Sequence, residues 1–480
     1  MIEKYYSGVI EQIYNRIGKE TRNIVMANYS NDFSIENLEV IRRYQSNEDN
    51  VFFAYSEFSY NTLVGAYEPF LDIICNMHRR FIGGSFDDFQ KECGVYYLHR
   101  QVLNSYYETG ECFREETVLL NEVAYEQRRM TMAIADMLKK LSEVKPLMIV
   151  INRFQMASKS SIETIKYLID NPCANIGIVL GVNAIVKGTD STVEVWDRIV
   201  ESLEDRSAIY YIGSAGPLKN NVKTTNDDEL YITMNFEQSI QEASNIMEFL
   251  DFEQARRGCR IIEHKLKFED AWIDEKSLRR FYMVYARTSV LLGEMSKAIE
   301  LTNEYKALIP ENDSEHYLSL YYFMKGTCYM YQGKLEKAGN SAKSAYDYAV
   351  LAEDDTLIFK AELLSVMIKM SGWYNIFFCV QDIPVSDEII EKLIKHGYRN
   401  HLAHIYIYAY DNSRDVVKQS FYDESLLKHF TKGLELAKEI GNEQLVYDAY
   451  QKTIMLASTS GLNEIAFLYV IRTYEFMKGH

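Results

Sequence analysis

Apolar runs of strand length occur in the first half of the chain and stop after it, and this contrast constrains the fold more than any other feature of the sequence. Five such runs alternate with helical segments: Asn23–Ala27, Val51–Tyr55, Leu147–Ile151, Ile176–Leu180 and Ala208–Ile212. Buried strands that alternate with helices are typical of a mainly parallel sheet covered on both faces. We therefore predict an α/β domain with a five-stranded, mainly parallel sheet, and expect its ligand-binding loops at the carboxyl ends of the strands.

The loop after the first run stands where a phosphate-binding loop would lie. Such a loop joins a strand to a helix and has the spacing G-x-x-x-x-G-K-S/T. At that spacing the chain has Ala27, Asp32, Phe33 and Ser34, so only the hydroxyl is kept. The Asp32 carboxylate would also repel a phosphate. The sequence predicts a nucleotide site that no longer works in the usual way.

Two later strands also lack the residues that ATP hydrolysis needs. An ATPase of this kind places acids after the third strand to hold magnesium and orient the attacking water. Here that strand ends in Asn152 and Arg153, an amide and a cation. The fourth strand is followed by Asn183, with no arginine or acid beside it. These losses agree with the loss in the first loop.

Four segments in order resemble the ATPase domain of the STAND class of AAA-related proteins, as in maltose-operon-type activators. They are 22–40, 66–72 (AYEPFLD), 146–168 and 176–181. The resemblance covers about residues 20 to 215 and implies a P-loop-NTPase-like fold. Its departures fall on the catalytic positions of the family. We expect a pseudo-ATPase with no catalytic residues and no cofactor.

A polar segment separates this half from a purely helical one. Residues 216–232 contain Gly216, Pro217 and a run of amide and charged side chains, which is typical of a linker. The predicted division is a degenerate ATPase domain at 1–215, the linker, and an all-α solenoid at 233–480.

The helical half contains an internal repeat. Turn-like sites recur about every 40 residues, and a small or apolar residue follows each by five positions. The turn residues are Leu250, Gly293, Gly333, Gly372, Asn412 and Gly461, and the partners include Ala255, Ala298, Ala338 and Ala466. Glycine or asparagine provides the left-handed turn, and a small residue lets two helices approach closely. The pattern is similar to tetratricopeptide repeats, whose solenoids bind peptides or proteins.

Composition limits the setting of the protein. The chain has 480 residues, with 52 Lys plus Arg against 69 Asp plus Glu, a net charge of -17. A nucleic-acid or anionic-membrane surface is therefore not favoured. The seven cysteines contain no C-x-x-C pair, which favours reduced thiols and a cytoplasmic location. No apolar run approaches the ~20 residues that span a bilayer.

Two clusters in the helical half have a functional and a structural interpretation. His401 and His404 could share a helix face as metal ligands, but no cysteine or carboxylate lies near them in sequence, so no metal site is expected. The tyrosines at 317, 321, 322, 329 and 331 could form a stacking platform. Aromatic residues at helical spacing are more often packing residues, or line a peptide groove.

The sequence predicts a non-catalytic regulator or scaffold of bacterial transcription or signalling, with a protein or peptide partner on the solenoid. Its oligomeric state is left open. One alternative is a nucleotide switch with non-standard contacts and little or no hydrolysis. The other is a nucleic-acid-binding regulator, which the charge and the lack of a helix-turn-helix pattern disfavour.

Overall fold

A computed structural model gives the architecture of the chain. It describes residues 2–29, 38–46, 50–58, 63–119, 122–183, 209–211, 235–268, 273–312, 314–374, 387–408, 424–459 and 461–479. All structural statements below refer to these residues.

The first half contains a small parallel sheet, as predicted. Its four full strands are β1 (Ile24–Tyr29), β2 (Phe52–Glu57), β3 (Leu147–Asn152) and β4 (Ile176–Asn183). The segment β5 (Ile209–Tyr211) has three residues and pairs with the edge of β1. The strand order is β2-β3-β4-β1-β5, and every pairing is parallel. Four full strands thus stand where five were predicted, and β5 is a short addition at the edge.

Helices precede the first strand and connect the strands of this sheet. They are α1 (Ile2–Arg16), α2 (Glu39–Ser46), α3 (Phe70–Met77), α4 (Phe86–Glu92), α5 (Tyr97–Thr109), α6 (Val123–Val144) and α7 (Lys159–Asp170). A π-helical turn, His78–Ile82, continues α3. The sequence analysis predicted no helix at α4 or α5, which lie between the apolar runs that guided it.

Packing of α1 on the sheet builds one hydrophobic core. Tyr6, Ile10 and Ile13 are fully buried and share a cluster with apolar residues of β1, β3 and β4. Gly177 in β4 permits this approach, since a Cβ at that position would lie 2.8 Å from Ile17 Cδ1. The small residue therefore sets how closely α1 covers the strands.

Helices alone follow in the rest of the described chain. They are α8 (Phe236–Glu248), α9 (Phe252–Phe268), α10 (Glu275–Leu291), α11 (Met295–Ala307), α12 (Ser314–Tyr331), α13 (Leu335–Leu351), α14 (Asp355–Tyr374), α15 (Asp387–Lys395), α16 (Arg399–Tyr408), α17 (Glu424–Ile440), α18 (Glu443–Thr459) and α19 (Asn463–Gly479). None of these described helices, or those of the first half, combines the length and apolarity needed to cross a bilayer.

Two compact units divide the chain, and their borders differ from the predicted ones. The first unit comprises Met1–Val95, His99–Phe113 and Glu126–Ile273. The second comprises Tyr96–Leu98, Arg114–Tyr125 and Asp274–His480. The hairpin α8–α9 therefore belongs to the sheet-containing unit, although its turn and Ala255 match the helical repeat. The second unit also includes two segments from the first half of the chain, 96–98 and 114–125.

Several contacts join α8–α9 to the rest of the first unit, and one of them is a carboxylate that caps two helices. Asp251 is buried between α8 and α9. Its Oδ2 accepts a hydrogen bond from the backbone N–H of Ser160 in α7 at 3.0 Å, and its Oδ1 accepts one from Gln254 N–H in α9 at 3.4 Å. Asp251 thus caps the first turns of two helices, one on each side of the contact. Gln254 adds a bond from its amide Nε2 to the carbonyl of Val64 at 3.0 Å.

Candidate functional site

Part of the predicted nucleotide site lies at the carboxyl ends of the strands. Ala27 in β1 pairs with Gly181, Asn152 ends β3, and Asn183 ends β4 opposite Tyr29. Asp32, Phe33 and Ser34 lie outside the described residues, and so does the side chain of Asn183. The substitution of Phe33 for the phosphate-loop lysine therefore remains a prediction from sequence.

Asn152 is directed into the sheet packing. It is fully buried, and its Oδ1 lies 2.9 Å from the position that a Cβ on Gly181 would occupy. The Tyr6 hydroxyl lies 3.3 Å from the same position and donates to the carbonyl of Ala27 at 2.8 Å. Ala27, Asn152 and Gly181 thus meet beneath α1. The amide occupies a buried polar niche at the place where an ATPase would hold a metal-binding carboxylate.

Arg153 is paired with an acid of the neighbouring strand. Its guanidinium lies 3.1 Å from Glu57 Oε1 at the end of β2, and the Tyr55 hydroxyl donates to Glu57 Oε2 at 2.6 Å. The backbone of Arg153 has φ 54° and ψ 39°, the left-handed region that non-glycine residues rarely adopt. The strand ends therefore carry a compensated Glu–Arg pair, which the sequence pattern did not indicate.

The repeat turns share one hydrogen-bond pattern in the second unit. Gly333 has φ 70°, its N–H bonds to Met330 O at 2.9 Å, and Lys334 N–H bonds to Tyr329 O at 2.9 Å. This is the Schellman closure of a helix. The same closure occurs at Gly293, Gly397, Gly441 and Gly461, each with positive φ. Ala298 and Ala338, five residues beyond Gly293 and Gly333, are fully buried.

One predicted turn is wrong, and another lies outside the residues that the structure describes. Gly372 falls within α14, while the preceding helix closes at Glu353, which takes the left-handed conformation with φ 52°. Asn412 lies outside the described residues. The turns at Gly397 and Gly441 were not predicted, because they lie 25 and 29 residues after the predicted sites Gly372 and Asn412 and so fall out of phase with them.

His401 and His404 each contact a carboxylate that is distant in sequence. His401 Nδ1 lies 2.6 Å from Glu116 Oε1, and His404 Nε2 donates to Glu122 Oε1 at 2.8 Å. All four side chains are buried. The sequence pattern could not pair these groups, since 285 and 282 residues separate the partners. The described residues contain no group of three or more metal-ligating side chains suited to an ion.

Neighbouring amides complete this cluster, which we call the histidine–glutamate network (Tyr96, Glu116, Glu122, Asn400, His401, His404 and Asn442). Glu116 Oε2 accepts from the backbone N–H of Asn400 at 3.1 Å, so this carboxylate caps α16. Glu122 accepts from the side chains of Asn400 and Asn442 at 3.2 and 3.1 Å. Tyr96 and Asn442 both donate to Asn400 Oδ1. The side chains of this buried network are thus joined by hydrogen bonds, as a stable buried network requires.

Glu122 and His404 shift each other's pKa. Burial would raise the pKa of Glu122, but the charge of His404 and the bonds from His404, Asn442 and Asn400 lower it to about 2. Burial would lower the pKa of His404, but the Glu122 charge and hydrogen bond raise it above its ordinary value. Each group therefore favours the charged form of the other. This arrangement joins Glu116 and Glu122 to α16.

The tyrosines of α12 are mainly packing residues. Tyr321 is buried, and Tyr329 and Tyr331 pack against the cluster around Ala338. The other two also make ring contacts: Arg279 is 4.9 Å from the ring centre of Tyr317, and Tyr322 stacks on Tyr348 of α13 at 5.6 Å. The five rings thus make packing contacts, as the structural interpretation predicted, and all except Tyr321 are also partly exposed.

Comparisons with known proteins give distant structural likenesses. No protein-family model and no curated protein matches the chain. A STAND protein with a tetratricopeptide repeat sensor from Pyrococcus horikoshii is 13% identical with a TM-score of 0.41, over 97% of this chain and 82% of that one. A Rap protein complexed with competence and sporulation factor is 12% identical with a TM-score of 0.35, over 85% of this chain and 98% of that one. At these scores neither likeness establishes the function of the chain.

Proposed function

We propose that the chain is a non-catalytic regulatory or scaffold protein. Its first unit is a degenerate STAND-type nucleotide domain, and its helical unit binds a protein or peptide partner. A role in bacterial transcription or signalling is what the sequence resemblance implies.

The Glu57–Arg153 pair carries the pseudo-ATPase part of this proposal. Catalysis would need a carboxylate at the end of β3 to bind magnesium and orient water. Asn152 is buried against Gly181 instead, and the next side chain is a guanidinium. Glu57 is the acid at the end of β2, and the Arg153 guanidinium lies 3.1 Å from its Oε1. A magnesium ion would have to displace this guanidinium to bind Glu57. These contacts support a site that does not hydrolyse ATP.

A titration of the full-length protein with ATP and magnesium tests this part. We expect no saturable rise in melting temperature and no phosphate release above the rate with magnesium alone. A ligand at a hundred times its Kd stabilises a folded protein by about 2.7 kcal/mol, which a melting curve detects easily. A saturable rise, or phosphate release that depends on the protein, would overturn the pseudo-ATPase proposal.

The partly exposed tyrosines of the second unit support the binding part. Tyr322 stacks on Tyr348 with their rings 5° from parallel, and Tyr317 lies beside Arg279. Tyrosine and arginine are enriched where proteins bind one another, because they combine a large apolar surface with hydrogen-bonding ends. These side chains lie on α10, α12 and α13, and we expect the partner to bind where they reach the surface.

Affinity capture from extracts of the source organism tests this surface. We expect full-length protein to retain a specific partner and Tyr322→Ala to lose most of it. Tyr44→Ala is the matched control, since Tyr44 is stacked on Tyr14 at 3.9 Å in the first unit. Equal capture by wild type and Tyr322→Ala would place the partner elsewhere.

A further inference from the structure

The helix α19 exposes an unusually apolar outer face. Six of its large apolar side chains are exposed, and Phe467, Tyr474 and Met477 are each more than half accessible, at 66%, 55% and 54%. The others are Leu468, Val470 and Ile471. Large exposed apolar patches on a folded protein usually mark a binding surface.

The opposite face of α19 is already occupied by the neighbouring helix. Ala466 and Thr473 are buried. The Tyr450 ring of α18 lies 5.7 Å from the ring of Tyr469 and 6.0 Å from that of Phe476. A helix that is apolar on two faces is normally covered on both of them. The packing on α18 therefore leaves a second apolar face that has to be covered from outside.

Charges of opposite sign stand at the two ends of this outer face. Phe467, Ile471 and Tyr474 follow one another at helical spacing and form its centre. Glu464 precedes this stripe and Lys478 follows it, and both are exposed. Glu464 and Lys478 are fourteen residues apart, which corresponds to about 21 Å and nearly four helical turns. The two charges therefore lie on the same side of the helix as the stripe.

We propose that a second copy of this chain covers the face, with the two α19 helices antiparallel and a two-fold axis near Ile471. In that arrangement Glu464 of each copy lies opposite Lys478 of the other. A parallel pair would place like charges together at both ends, which is unfavourable. With a two-fold axis, the same patch of both copies is covered in one contact, so the assembly stops at a dimer and does not extend into filaments.

The size of the patch is compatible with such a dimer. Covering the six side chains on both copies buries on the order of 1,000 Å² in total, near the lower limit for specific interfaces. The dimer is therefore expected to dissociate on dilution. It does not depend on the proposed function, because neither the nucleotide edge nor the tyrosine surface takes part.

Sedimentation velocity of the full-length protein across micromolar concentrations provides the first test. We expect a concentration-dependent dimer, and a monomer for Ile471→Glu. Ile394→Glu is the matched control, because Ile394 is also exposed in the second unit, at 61%, and lies on α15. A wild-type monomer at every concentration would overturn the proposal, and would leave the face to a different partner. Dissociation by both variants alike would also overturn it.

Charge reversal tests the antiparallel arrangement. At low salt, Glu464→Lys and Lys478→Glu should each weaken dimerisation by roughly ten-fold, since each introduces two like-charge contacts. The double variant restores opposite charges at both ends and should recover most of the wild-type association. Failure of the double variant to dimerise better than either single variant would contradict the proposed register. Circular dichroism of all variants checks that the helices are retained.

Discussion

The Nε2 of His404 donates a hydrogen bond of 2.8 Å to Glu122 Oε1, although 282 residues separate them in the sequence. Both side chains are buried, and two asparagines bind the same carboxylate. A buried carboxylate is stable only when it is hydrogen-bonded, and Glu122 accepts bonds from His404, Asn400 and Asn442. The contact joins Glu122 to α16 within the second unit.

Removal of the Glu122 charge should weaken the second unit. We expect Glu122→Gln to lower its free energy of unfolding by about 3 kcal/mol, because His404 would keep its burial and lose its counter-ion. Hydrogen exchange of the α16 amides measures this locally. Glu435→Gln, on the exposed side of α17, is the control and should change exchange little. Unchanged protection of α16 in Glu122→Gln would show that the pair does not hold this region.

The same pair predicts how stability depends on pH. The pKa of His404 is raised in the folded protein, so its contribution is complete below the ordinary value of 6.5 and is lost as pH rises through the folded pKa. The pKa of Glu122 is lowered from 4.5 to about 2, so its contribution is present above 4.5 and is lost as pH falls toward 2. The stabilisation from the pair is therefore greatest between about pH 4.5 and pH 6.5.

Melting curves of wild type and Glu122→Gln between pH 4 and 9 test this window. The difference between the two proteins should be largest inside it and should shrink toward alkaline pH. Taking the difference matters because Asp448, whose pKa is raised by burial, also interacts with His404 and titrates in both proteins. A difference independent of pH would contradict an ionised pair.

Asp251 should stabilise the first unit through two helices at once. We expect Asp251→Ala to cost about 1–3 kcal/mol, since it removes a cap from both α7 and α9 and leaves the Ser160 N–H buried. Hydrogen exchange should increase in both helices. Asp274→Ala is the matched control, because Asp274 caps α10 alone, with Ser277 N–H donating to it at 2.9 Å. Loss of protection in α9 but not α7 would show that the Ser160 contact contributes little.

The sequence was informative where structure is local and periodic. The strands follow from short apolar runs, and the observed β3, Leu147–Asn152, extends the predicted run by one residue. The turns at Gly293 and Gly333 follow from the conformational preference of glycine beyond a helix end. Both features depend on residues close to one another in the chain, so pattern and spacing reveal them.

Contacts between distant segments were not predictable in the same way. Asp251 lies 91 residues from Ser160, and Glu116 lies 285 residues from His401. In each case a carboxylate caps a helix from outside, and no period or motif marks it. The repeat pattern included α8–α9 in the solenoid because its turn fits. Contacts such as the buried bonds of Asp251 and Gln254 join it to the sheet-containing unit instead.

Gly181 should be essential to the packing around Asn152. A Cβ there would lie 2.9 Å from Asn152 Oδ1 and 3.4 Å from the Ile151 carbonyl, so Gly181→Ala should destabilise the protein by about 1–3 kcal/mol. Gly339→Ala is the opposite control. Gly339 lies in α13, and a Cβ on it would meet no atom within 4 Å, so alanine there should stabilise by about 0.5–1 kcal/mol. Urea unfolding measures both effects. If Gly181→Ala is tolerated as well as Gly339→Ala, then the Asn152 side chain is free to leave the sheet, and the buried amide no longer argues against a metal site at the strand ends.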